Sequence, residues 1–200
     1  MNSSSSDFTT ILNSAAQSSD RPTTVAMVAV LKEAETTARK QKLVIPFESL
    51  LGEWRLSFAT GASKQKQGAK IKLVRGYYLP RFIPASIAFT RDSESSITGT
   101  VTNKLLVGSV YVRFTGPCRY PGKKNLLVFD FTQIELKILG ITVYQGKIRS
   151  GKNGIKDFAK LSISTLPFFA FFWAGDNGIA ARGRGGGLAL WIRNQSAPKK

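Results

Sequence analysis

The chain has 200 residues, enough for one domain, and its composition of 42% hydrophobic and 20% charged residues is typical of a globular protein. It has one cysteine and no histidine, which excludes an internal disulfide, histidine-dependent catalysis and histidine-ligated zinc. The net charge is +17, and the whole excess lies in residues 54–200. A basic excess of this size indicates an anionic partner, which is nucleic acid, an acidic lipid surface or an acidic protein.

The N-terminal segment is rich in serine and threonine. We predict a disordered tail over 1–22, with a plastid transit peptide as the alternative interpretation. A loose 3.6-residue period predicts an N-terminal helix over 23–45, with Thr23 or Asp20 as its cap and Pro22 at its start.

From Gly52 onward, alternating apolar and polar residues predict about eight to ten short strands separated by polar and glycine-rich turns. This pattern after one helix predicts a mainly β fold, an antiparallel barrel or sandwich, over 46–194. Within 125–139 the apolar positions change parity, so we expect a bulge near Thr132 or two separate strands. Residues 195–200 are predicted to be a basic C-terminal tail.

The segment 166–173, LPFFAFFW, is apolar on both faces of a strand. One face can fill a barrel, and the other needs a cover. We expect the N-terminal helix to provide that cover, with a membrane or a partner as the alternative.

Few residues suit catalysis. Cys118 has no histidine to activate it. Asp130, between two phenylalanines, would hold the polar end of a ligand if it pointed inward, or it would form an internal pair with an arginine. We therefore predict no catalytic residue, no metal site, no cofactor, and a protein that is not an enzyme.

Two residues at the ends of the strand region could form a closing contact. Gly52-Glu53-Trp54 opens the first strand, and Arg193 ends the last. A guanidinium over an indole face stabilises a fold by roughly 0.5–2 kcal/mol. We expect Arg193 to stack on Trp54; the alternative is an ordinary core tryptophan and an unrelated surface arginine.

The sequence LLGEWRLSFAT (50–60) resembles the opening of the plastid lipid-associated proteins, also called plastid fibrillins, and ARGRGGGLALWIR (181–193) resembles their closing strand. The resemblance spans about 45–195. It implies a lipocalin-like barrel that binds apolar lipids such as isoprenoid quinones, carotenoids or fatty acyl chains. It also implies a photosynthetic host, with the protein at the thylakoid or in the cytoplasm of a cyanobacterium, or in a plastid. One departure is that a single Asp176 stands where many members carry an acidic cluster.

Together these observations predict non-enzymatic binding or carriage of an apolar isoprenoid or acyl lipid at a thylakoid or lipid-droplet surface. The expected partners are that lipid, an anionic membrane surface, and a protein of lipid or prenylquinone metabolism. The alternatives are a basic barrel that binds nucleic acid and a scaffold or chromophore-handling protein. The predicted lipid contacts are Trp54, Leu56, Phe58, Phe89, Phe114, Phe129, Leu190 and Arg193. The predicted membrane-facing cations are Lys70, Lys72, Lys147 and Arg149.

Overall fold

The structure is a computed structural model that describes residues 4–17, 21–64, 71–148, 158 and 160–194. Within these residues two α-helices precede the strands, α1 (Ser4–Gln17) and α2 (Thr24–Lys40), and a 3₁₀ helix (Phe47–Leu50) leads into the sheet. The strands are β1 (Gly52–Lys64), β2 (Ile71–Tyr78), β3 (Ala85–Arg91), β4 (Thr98–Val107), β5 (Val110–Arg119), β6 (Leu126–Phe129), β7 (Gln133–Ile138), β8 (Ile141–Lys147), β9 (Phe168–Gly175), β10 (Gly178–Gly183) and β11 (Leu188–Arg193).

Eight of the described strands close into an antiparallel barrel, in the order β1-β3-β4-β5-β6-β9-β10-β11. The ring closes where β11 pairs with β1, with Arg193 opposite Trp54. This confirms the predicted mainly β fold, a lipocalin-like barrel behind N-terminal helical structure. Closure removes the unpaired edges that an open sheet would present.

The predicted disordered tail is wrong over residues 4–17, which form α1. Phe8, Leu12 and Ala15 are buried, and Ile11 packs beside them. Their spacing of three and four residues places them on one face of a helix. The serine-rich composition concealed this apolar face, because the serines and threonines occupy the other positions.

The predicted helix over 23–45 is observed as α2, and Thr23 Oγ1 caps it by accepting a hydrogen bond from Ala26 N at 3.2 Å. Both helices pack on the outer face of the barrel, where Phe172 and Trp173 are buried in the same cluster as α1 and α2. The expectation that the N-terminal helix covers the second apolar face of 166–173 is therefore confirmed for Phe172 and Trp173, whereas Leu166 and Phe168 pack against Phe158, Leu161 and Val128 instead.

The parity change in 125–139 corresponds to two strands, β6 and β7. The chain leaves β6 after Phe129, and β7 then pairs with the other half of β5. As a result, the end of β5 that belongs to the barrel wall pairs with β6, and the part of β5 that extends beyond the barrel pairs with β7. We call the outer part, residues 102–115 together with β7 and β8, the extension. No helix in the described ranges is long and apolar enough to cross a membrane.

Candidate functional site: an open apolar face beside the barrel

One end of the barrel is closed by the pair that the sequence predicted. The Arg193 guanidinium carbon lies 4.1 Å from the centroid of the Trp54 ring. Trp54 Nε1 donates to Leu50 O at 2.7 Å, and Arg193 Nε donates to Asp176 O at 2.7 Å. Both side chains are thus held by backbone carbonyls as well as by each other, which makes this end of the barrel a fixed wall.

The barrel interior is filled with side chains. Four of the predicted lipid contacts, which were expected to line the barrel interior, lie here: Trp54, Phe89 and Phe129 belong to one buried cluster, and Leu56 packs against it. Trp54 and Phe89 have no solvent-accessible surface. A ligand would have to displace such side chains to enter this part of the barrel.

Phe58 and Leu190 were expected in the same lining, and this is wrong. Both lie in the cluster beneath the helices, on the outer face of the barrel. Ser57 is an extra residue in β1, since Leu56 pairs with Trp191 and Phe58 with Leu190. Such a bulge breaks the two-residue alternation, so Phe58 and Leu56 point to opposite faces.

A chain of aromatic contacts leads from the filled interior to the extension. Phe129 lies 5.1 Å from both Phe169 and Phe131, measured between ring centroids, and Phe131 lies 5.6 Å from Phe114. Phe114 is half-buried on β5 within the extension. The predicted contact residue Phe114 therefore marks the mouth of the barrel, where the interior apolar surface meets the outside.

Beyond Phe114 the inward face of the barrel continues as the apolar face of the extension. Residues that pair directly across antiparallel strands share a face. The pairings therefore align three rows of side chains, running outward from the mouth: Phe114 and Ile134; then Leu105, Val112, Leu136 and Tyr144; then Val107, Val110, Ile138 and Ile141. Exposure increases along these rows, and the four side chains of the outermost row are between 39% and 70% exposed. An apolar sheet face that would normally be covered stands open here.

The extension ends in two adjacent hairpin turns, Gly108-Ser109 and Leu139-Gly140, which we call the tips. Leu139 N donates to Ser109 O at 3.0 Å, so the tips lie side by side. Leu139 has φ +52° and is 78% exposed. Turns of this kind favour Asn, Asp or Gly at such a position. A leucine there gains no burial and adopts an unfavourable backbone conformation, which points to a role outside folding.

The opposite face of the extension is polar and basic. Arg113 and Lys137 form ion pairs with Glu135 at 2.9 and 3.4 Å. Lys137 also lies over the Tyr111 ring, 5.9 Å from its centroid. Lys147, a predicted membrane-facing cation, is exposed at the end of β8 and lines a depression of about 240 Å³ on this face. The extension is thus apolar on one face and carries cations on the other.

The other three predicted cations have side chains outside the described part of the chain. Lys72 lies in β2 opposite Ser63, and its side chain is outside the described residues. Lys70 and Arg149 also lie outside the described residues. The predicted basic stripe stays a prediction at these three positions.

Two titratable groups near the barrel that the sequence analysis considered have raised pKa values. Burial raises the pKa of the Cys118 thiol to about 12, so the thiolate that nucleophilic chemistry needs is scarce near neutral pH. Burial raises the pKa of the half-buried Asp130, and a hydrogen bond from the backbone of Phe131 opposes this effect. Within the described ranges, no three carboxylate or thiol residues cluster as metal ligands would.

Sequence reasoning missed the residues of the tips. The signal was present as two short turns between apolar residues, Val107-Gly-Ser-Val110 and Ile138-Leu-Gly-Ile141. Alternation alone shows such residues as ordinary strand ends. Only the pairing of β5 with β7 brings the two turns together.

The chain was compared with protein-family models, with curated proteins and with solved structures, and none of them matches it. The resemblance to the plastid lipid-associated proteins stays a prediction.

Proposed function

We propose that this chain is a non-enzymatic protein that binds an apolar isoprenoid or acyl lipid at the surface of a membrane or lipid droplet. The observation that carries the proposal is the open apolar face of the extension, which continues the barrel interior and ends at the exposed tips. Contiguous exposed apolar surface of this kind typically marks an interaction site.

The order of side chains from the tips inward fits a lipid interface. The outermost row is aliphatic, and Tyr111 and Tyr144 follow on the two faces. The cations Arg113 and Lys137 lie next to Tyr111. Aliphatic groups favour the hydrocarbon region, tyrosines its boundary and cations the headgroups. Arg113 and Lys137 share the single carboxylate of Glu135, which leaves a net charge of +1. An unpaired cation near an anionic surface contributes about 1 kcal/mol before screening.

The filled barrel favours a lipid site outside the barrel interior. Because the barrel interior around Trp54 and Phe89 is occupied, we place the bound lipid against the apolar face, with its inner end at Phe114. The sequence resemblance supports the same class of ligand, and with it a thylakoid or plastoglobule as the surface.

The first test replaces Leu139 with asparagine, which tolerates the left-handed conformation. Burying a leucine side chain in hydrocarbon contributes roughly 1.5–3 kcal/mol, so Leu139→Asn should weaken vesicle binding about tenfold or more. The melting temperature should stay the same or rise. Binding is measured by co-sedimentation of the full chain with phosphatidylcholine vesicles, with and without phosphatidylglycerol.

Val25 provides the matched control, because it is 79% exposed but lies in the first turn of α2. Val25→Gln removes an equally exposed apolar side chain and should leave vesicle binding unchanged. Equal losses in both variants would contradict the assignment to the extension.

Nucleic acid is the second candidate, favoured by the net charge of +17. It predicts binding to oligonucleotides that falls steeply with salt and does not depend on Leu139. That result, together with absent vesicle binding, would replace the lipid proposal.

A further inference from the structure

A cleft of about 520 Å³ lies between the C-terminal end of α2, the linker after it, the turn Lys123–Asn125 and β9. Its volume falls in the usual range for small-molecule sites, about 300–1,000 Å³. Its walls are mostly apolar, with Leu43 and Val44 from the linker facing residues 170–172 of β9. Leu43 is 44% and Val44 73% exposed, so the linker presents partly uncovered apolar side chains to the cleft.

The linker is held in place by Asn125. Asn125 Nδ2 donates to Leu43 O at 2.7 Å, and Ile45 N donates to Asn125 Oδ1 at 3.0 Å. Tyr120 adds a hydrogen bond to Ile45 O at 2.8 Å. The cleft wall is therefore built in advance, which reduces the entropic cost of binding a ligand.

Two lysines on the cleft have backbone conformations that favour glycine. Lys42 has φ +51°, and Lys124 has φ +58°. Lys42 follows the cap of α2, where Lys42 N donates to Arg39 O and Leu43 N donates to Ala38 O. This is the helix ending in which glycine is the usual residue. A lysine there costs stability and supplies a cation at the rim of the cleft.

The rim is positively charged. Arg39, Lys42 and Lys124 all line it. The lining also includes the carboxylate of Glu35, but this carboxylate is paired with Arg182, whose Nε lies 2.6 Å and whose Nη2 lies 2.5 Å from its two oxygens. The three cations of the rim therefore have no neutralising acid among the described lining residues.

We propose that this cleft binds a single-chain anionic amphiphile, a long-chain carboxylate. The carboxylate lies at the Lys42, Lys124 and Arg39 side of the cleft, and the hydrocarbon chain packs against Leu43, Val44 and β9. The apolar walls are complementary to the hydrocarbon chain, and the cationic rim is complementary to the carboxylate. The site is separate from the extension and involves none of its residues, so it goes beyond the proposed function.

The test uses decanoate, at concentrations where it is monomeric, and 1-decanol as its uncharged counterpart, titrated calorimetrically into the full chain. Lys42→Gly removes the cation and suits the backbone. We expect it to weaken decanoate binding about fivefold, to leave decanol binding unchanged, and to leave the melting temperature equal or higher. Val44→Ser should weaken both ligands.

Lys40→Ala is the matched control, since Lys40 is exposed in the last turn of α2 and does not line the cleft. It should change decanoate binding less than twofold. An equal loss in Lys40→Ala and Lys42→Gly, or no saturable binding of decanoate by the unmodified chain, would overturn the proposal.

The two sites can be tested independently. Leu139→Asn should retain decanoate binding, and Lys42→Gly should retain vesicle binding. Loss of decanoate binding in Leu139→Asn would overturn the separation of the cleft from the extension.

Discussion

The strands β4 and β5 run through two different surroundings, and their inward face behaves differently in each. In the barrel this face carries Val101, which has no accessible surface. Six residues further along the same face of the same strand, Val107 is 52% exposed. The residue type, the strand and the face are the same, so only the covering structure differs. Alternation therefore specifies which face is apolar, and the topology decides whether that face is buried.

The boundary between the two regions is the point where β5 changes its partner. Gly116 lies there, beneath the segment that leads from β6 to β7. A Cβ on Gly116 would lie 1.8 Å from Asp130 O. Asp130 N donates to Pro117 O and Thr132 N to Thr115 O, so the crossing segment is bonded to β5 on both sides of the glycine.

The largest loss of stability is expected from a substitution at this boundary. Gly116→Ala forces a side chain against backbone and should lower the free energy of unfolding by about 3 kcal/mol, measured in urea. The control is Gly185→Ala, because a Cβ at Gly185 meets no atom within 4 Å. A loss below about 0.5 kcal/mol in Gly116→Ala would show that the crossing segment can move away without cost.

A matched pair of valines measures the difference between the regions directly. Val101→Ala should cost about 2 kcal/mol of stability because it leaves a cavity in the barrel. Val107→Ala should cost less than about 0.5 kcal/mol, because its side chain is already half in water. Thermal unfolding of both variants tests this, and a similar loss in both would mean that the face of the extension is covered.

A smaller effect than that of the buried valine is expected for the ion pair that fastens the extension to β1. Glu53 lies 3.1 Å from Lys104 Nζ and accepts from Ser86 Oγ at 2.8 Å. Burial opposes the charged form of Glu53, but the contacts with Ser86 and Lys104 outweigh it and lower the pKa below 4.5. A lowered folded-state pKa contributes stability above pH 4.5, and this is lost as the pH falls through the folded value.

Glu53→Gln should therefore destabilise the fold by less than about 1 kcal/mol at pH 7, since the pair is partly exposed. The difference from the unmodified chain should vanish in acid. Urea unfolding between pH 7 and pH 3 measures it, with Ser86→Ala expected to show part of the same effect. A difference that stays constant over this range would contradict the role assigned to the charge.

The barrel was predictable because the sequence features that indicate it lie within short segments or consist of a cation and an aromatic ring that suit each other. Trp54 and Arg193 stand at the two ends of the strand region, and a guanidinium over an indole face is a favourable contact that the residue types alone suggest. The N-cap at Thr23 and the change of parity near Thr132 are likewise contained in short segments of sequence.

The errors arise where pairing between distant segments decides the outcome. No pattern within 52–64 shows that Ser57 is an extra residue, because the bulge is defined by the partner strand β11. Phe58 was misplaced for that reason, whereas Leu190 was misplaced because it alternates along β11 with Trp191, which belongs to the interior cluster. The open face was missed for a related reason, since the sequence shows that Val107 and Ile138 are apolar but not that they lie in one uncovered row.

The closing pair of the barrel has a consequence for the order in which this protein is made. β1 and β11, the first and last strands of the barrel, are neighbours, so the ring cannot close until β11 has been synthesised. The hairpins β4–β5 and β7–β8 need only two-residue turns and can pair much earlier on the ribosome. The apolar face of these hairpins can therefore form before the barrel that it extends has closed.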